Sequence, residues 1–77
     1  MIIITEVSKD LTTKEKTTTQ RATEYMFDWM EALKEWGERF SDKQVMITTK
    51  FAKKKPKITF VAVYEGMRYK MSVEWFH

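Results

Sequence analysis

Residues 21–40 read RATEYMFDWMEALKEWGERF, and this stretch decides the fold. Ala22, Tyr25, Met26, Trp29, Met30, Leu33, Trp36 and Phe40 follow one another in steps of three, one and four. At helical pitch that spacing makes one broad apolar face, suited to packing on a sheet. The acids Glu24, Asp28, Glu31, Glu35 and Glu38 recur in steps of four and three and form a stripe on the opposite side. Thr17 with Gln20 three residues later matches a capping box for the helix start, with Thr18 and Thr19 as alternative caps. Gly37 either ends the helix in a left-handed conformation, which removes Glu38 from the stripe, or lies inside the last turn at about 1 kcal/mol relative to alanine.

Downstream, the pattern changes from helical to alternating, and three strands are expected at 44–52, 57–65 and 67–76. A two-residue hairpin at Glu65-Gly66 sets Tyr64 opposite Met67, Ala62 opposite Tyr69, Phe60 opposite Met71 and Ile58 opposite Val73, all on one face. A turn at residues 53–56 adds Phe51 beside Ile58, Ile47 beside Ala62 and Val45 near Tyr64. The alternative, a three-residue turn with Gly66 as a bulge, pairs Val61 and Val63 with Met67 and Tyr69 and breaks the alternation, so the first register is preferred. The opposite face then carries Met46, Thr48, Lys50, Lys57, Thr59, Val61, Val63, Arg68, Lys70, Ser72, Glu74 and Phe76. Its apolar members Val61, Val63, Met46 and Phe76 suit a homodimer contact, a surface covered by the N-terminal segment, or part of a ligand platform.

Upstream, residues 2–8 are rich in β-branched side chains and read as a strand. The threonine-rich segment 11–19 reads equally as a second strand, turning at Lys9-Asp10, or as a loop. The chain is therefore expected to be a single α+β domain over residues 1–77, one amphipathic helix on a mainly antiparallel sheet of four or five strands, in the order β(β)αβββ. Which sheet edge the first strand joins is left open. Seventy-seven residues with three Trp, five Phe and six Met supply one compact core.

The same composition narrows function. The chain has no cysteine, and so no disulfide, thiolate metal site or cysteine nucleophile, and a cytoplasmic setting is expected. The opening apolar run is too short to span a membrane and lacks the features of a signal peptide, so no membrane partner is expected. The lone histidine, His77, is the last residue given and reads as a surface group. The two glycines build no phosphate loop or nucleotide fingerprint, and neither a nucleophile elbow nor a zinc pattern can be assembled, so the chain reads as non-enzymatic with no cofactor. A metal site would need carboxylates alone, and one helix offers them from one side only.

Charge is segregated along the chain. Residues 20–39 carry three basic and five acidic groups, whereas residues 40–77 carry eight basic and three acidic. The acidic stripe reads first as a solvated helix face, in which Glu35 with Arg39 and Glu31 with Lys34 make local pairs. Its sharper reading is a protein contact. Repeated negative charge on a rigid rod can imitate a nucleic-acid backbone and occupy the basic groove of a nucleic-acid-binding protein. Phe27 falls beside the acids rather than within the apolar face and would serve as an anchor; packing beneath the N-terminal segment is its structural alternative. The protein-contact set is thus Glu24, Phe27, Asp28, Glu31, Glu35 and Glu38.

A second set is basic. Lys53, Lys54 and Lys55, with Lys50, Lys57, Arg68 and Lys70 on the adjoining strands, can neutralise several phosphates of DNA or RNA, although lysine-rich hairpin tips also guard against aggregation. Base-reading asparagines are absent, which favours backbone over sequence recognition.

Two functions are carried forward. The first is a non-catalytic protein-binding regulator or inhibitor acting stoichiometrically, on a partner suspected to be a nucleic-acid-binding protein. In size and charge layout alone this matches the small inhibitors that phages and mobile elements direct at host nucleic-acid machinery, anti-CRISPR proteins among them. The second is a nucleic-acid-binding module built on the basic hairpin and sheet face. The helix Met and Trp residues read as core, so truncating Trp29 or Met30 is expected to unfold the domain.

Overall fold

The hairpin register read from the alternation is the one the chain adopts. In a computed structural model that describes residues 1–41, 43 and 45–76, Tyr64 pairs with Met67, Ala62 with Tyr69, Phe60 with Met71 and Ile58 with Val73. The turn between them is the two-residue Glu65-Gly66, both at positive φ (49° and 76°). That conformation matches the right-handed twist of the flanking strands and favours glycine at the second position.

The elements are β1 (Ile2–Asp10), β2 (Lys16–Thr23), α1 (Met26–Glu38), β3 (Ile47–Phe51), β4 (Lys57–Tyr64) and β5 (Met67–Trp75). The strands form one five-stranded antiparallel sheet in the order β2-β1-β5-β4-β3. The fold is α+β, with β1 joining the meander at β5 and inserted between β5 and β2. Phe51 pairs with Ile58 and Ile47 with Ala62, as the sequence implies. The expected strand start at Gln44 and the reading of His77 lie outside the described residues. Val45 precedes β3 and packs half-buried against the core.

The threonine-rich segment resolves as a strand. β2 begins after a turn in which the Asp10 carboxylate accepts the Thr12 and Thr13 amides at 2.8 and 3.1 Å, and Lys14 sits at φ 68°. The strand continues to Thr23, which overturns the expected helix start. Thr17 and Gln20 pair with Ser8 and Thr5 in the sheet rather than forming a capping box, and Ala22 pairs with Ile3. The physical reason is β-branching, since four threonines between Lys16 and Glu24 favour extended backbone over a first helical turn. The helix follows at once: the Thr23 hydroxyl accepts the Tyr25 amide at 3.1 Å and donates to the Asp28 carboxylate at 2.6 Å, tying strand end to helix start. Gly37 lies inside the helix, which therefore keeps Glu38.

Ile2, Ile4, Ala32, Trp36, Phe40, Ala62, Met71 and Val73 make the core, with Trp29, Leu33, Val45, Phe60, Tyr69 and Trp75 packed around them. Ring contacts tie Trp36 to Phe40 (5.1 Å between centroids), Phe40 to Tyr69 (5.3 Å) and Trp29 to Trp75 (5.7 Å, edge-on). The helix lies over β1, β2 and β5. It does not reach the β3 edge, so Ile47 and Phe51 share the core-side face by register yet remain exposed.

Candidate functional site

A thirteen-residue helix rotating 100° per residue can bury only part of its circumference on a sheet. Here Trp29, Ala32, Leu33 and Trp36 occupy the inward arc. Tyr25, Met26 and Met30, expected in the core, are instead exposed. Tyr25 caps the helix in extended conformation, and Met26 and Met30 lie on the flank of the inward arc, where no strand rises to meet them. Met30 is 54% exposed against 2% for Trp36, which corrects the expectation that the whole apolar face, Met30 included, is core.

The outward ridge runs through Phe27, Glu31, Lys34 and Glu38, with Met30 on one side and Glu35 on the other. These six residues line one shallow, open trough of about 560 Å³. Phe27 is 71% exposed and so is not packed beneath the N-terminal strand. The remaining acids have local duties. Glu24 lies in the bend before the helix, 3.5 Å from the Met1 amino group, and Asp28 is half-buried and bonded to Thr23. Arg39, paired with Glu35 in the sequence reading, meets Glu6 of β1 at 3.5 Å. The structure therefore gathers Phe27, Glu31, Glu35 and Glu38 along the trough; Asp28 lines a smaller polar hollow with Glu31, Glu35 and Arg21, and Glu24 lies before the helix.

Sequence reasoning missed the apolar part of this surface. Met26 and Met30 carry the same periodic signal as true core residues, and Phe51 the same alternation as Ile58. What separates them is the reach of the helix across the sheet, which the sequence does not encode locally.

The other sheet face has no helix over it. By register it presents Lys16, Lys9, Arg68, Lys70, Lys50 and Lys57, with Glu74 as the acid among them. Lys9 pairs with Lys16 on one side and Arg68 on the other, so three cations stand abreast on β2, β1 and β5. Lys70 is half-buried, and burial together with Arg68, Lys16, Lys57 and Lys50 pushes its ammonium below the usual lysine range. Of the basic set read from sequence, Lys50, Lys57, Arg68 and Lys70 share this face. Lys53, Lys54 and Lys55 sit exposed in the β3–β4 turn. Val63 and Phe76 are exposed and Val61 is half-buried.

Among the described residues, no group of three or more His, Cys, Asp or Glu side chains is placed to hold a metal ion, and no helix is long and apolar enough to cross a membrane. The fold and surface define a small α+β domain with two oppositely charged faces. No protein-family model matches the chain, and no curated protein or solved structure matches it.

Proposed function

We propose that this domain is a non-catalytic protein-binding regulator that acts stoichiometrically, docking through the outer ridge of α1. Phe27 and Met30 are the apolar anchors, and Glu31, Glu35 and Glu38 pair with basic residues of the partner. The observation that carries the reading is an aromatic and a methionine held open on a rigid helix and edged by acids. Aromatic and methionine side chains are enriched where proteins meet, and a charged rim steers the encounter. Tyr25 and Met26 enlarge the apolar area at the helix start.

The acidic rim favours a partner with a basic surface, which nucleic-acid-processing proteins have by necessity. An inhibitor of such machinery, of the kind phages and mobile elements encode, is the specific form of this reading, with a cytoplasmic site of action in keeping with the cysteine-free chain.

The test is co-purification of tagged protein from its host, comparing the native chain with Phe27→Ala/Met30→Ala and with Glu31→Lys/Glu35→Lys/Glu38→Lys. Loss of the same partner in both variants, with unchanged unfolding curves, is the expected result. Retention of that partner by both variants rejects the ridge as the contact.

A further inference from the structure

The uncovered sheet face poses a separate problem in energetics. Like charges directly opposite one another on neighbouring strands destabilise a sheet, and adjacent strands lie only about 5 Å apart. Yet Lys16, Lys9 and Arg68 stand in one such row, and Lys70 follows Val7 in the next. Lys9, Lys16, Arg68 and Lys70 surround a small depression of about 140 Å³ floored by Val7. Neither ion pair found among the described residues involves a cation of this face. The acid on the face, Glu74, pairs in register with Lys57 and Ile3, three rows away along the strand from Arg68.

We infer that the face formed by Lys9, Lys16, Arg68 and Lys70 binds the phosphodiester backbone of nucleic acid without reading its sequence. An external polyanion converts a repulsive row into an attractive one. The rest of the face shows what kind of anion suits it. Thr5, Thr18, Gln20, Thr48 and Thr59 offer hydroxyl and amide groups able to bond phosphate oxygens. Among the described residues the one aromatic at this face, Phe76, lies beyond the opposite end of β5, so among them no stacking platform accompanies the cations. The lowered pKa of Lys70 accords with this, because a bound phosphate would offset the cost of burial and of the neighbouring cations on its ammonium.

Lys9 and Lys16 could not be chosen from the sequence, since they belong to the hairpin that brings β1 and β2 together. Their place at the centre separates this inference from one resting on the lysine turn. It also stands apart from protein docking on α1, which uses the opposite side of the molecule, so either can fail alone.

Fluorescence anisotropy of two labelled duplex DNAs of unrelated sequence, measured from 50 to 200 mM salt, tests it. With four phosphate contacts, the native chain should bind both duplexes alike and lose about a hundredfold in affinity across that range. Lys9→Ala/Lys16→Ala should bind more weakly and lose only about tenfold, because about two counterions fewer are released. Lys53→Ala/Lys54→Ala/Lys55→Ala should keep most of the native affinity. Thermal melting keeps the comparison fair, and the Lys9/Lys16 variant should melt no lower than the native chain once the repulsion is gone. No binding at 50 mM salt overturns the inference, as does a larger loss in the turn variant than in the Lys9/Lys16 variant. Tighter binding to vesicles of anionic phospholipid than to either duplex overturns it as well.

Discussion

Trp36 and Met30 stand six residues apart on one helix and should answer truncation differently. Trp36→Ala removes a side chain sealed between Phe40 and Phe60 and should cost about 3–5 kcal/mol in urea unfolding. Met30→Ala should fall within about 0.5 kcal/mol of the native chain. Trp29 lies between these cases, since its indole N–H is buried with no acceptor among the described residues. A buried donor without a partner costs about 1–3 kcal/mol, so Trp29→Phe should be milder than Trp36→Phe, as paired unfolding curves would record. Asp10 carries a pH effect of known sign. The Thr13 and Thr12 amides hold its carboxyl below the usual range, so its contribution is present above the unfolded-state pKa and is lost as pH falls through the lower folded one. In carboxyl NMR titrations Asp10 should titrate at lower pH in the folded chain than in a peptide spanning residues 8–14. Trp36 and Phe40 were legible as core because their spacing and their burial agree, whereas Ala32 fell outside the periodic set and is nonetheless buried. Met30 and Phe27 required the structure, because periodicity assigns residues to an arc without saying how wide an arc the sheet covers.

At the level of elements, the β4–β5 hairpin was readable in full and β2 was not. In the hairpin, Gly66 marks the turn, and the alternation of Ile58, Phe60, Ala62 and Tyr64 selects one register, since a slip of one residue would send all four to solvent. β2 has no such alternation. Both of its faces are polar or small, every residue but Thr23 is exposed, and the segment is an edge strand held mainly by its ladder to β1. Its threonines therefore resembled helix caps as readily as strand residues. The turn geometry gives two substitutions opposite expected signs. Gly66→Ala, at φ 76°, should lower stability by about 1 kcal/mol. Glu65→Asn should raise the melting temperature, because asparagine tolerates the left-handed conformation that Glu65 now adopts at φ 49°.

Across the whole molecule, a single helix divides the surface. One side carries the acidic ridge with Phe27 and Met30, and the other carries the cationic rows of an open sheet. The sequence displayed the separation of charge along the chain. It did not display that the β1–β2 hairpin would add Lys9 and Lys16 to the cations near the C-terminus, because that juxtaposition arises from β1 lying beside β5. The protein-docking account depends above all on Phe27 being a contact rather than an incidental exposed ring. Replacing Phe27 with a photo-crosslinking phenylalanine derivative in the host, with Val63 substituted in the same way as a control on the other face, measures this directly. The expected result is one dominant crosslinked partner at position 27, absent at position 63 and lost when Glu31, Glu35 and Glu38 are changed to lysine. No crosslink at position 27, a crosslink only to a second copy of the chain, or one that survives the charge reversal would contradict it.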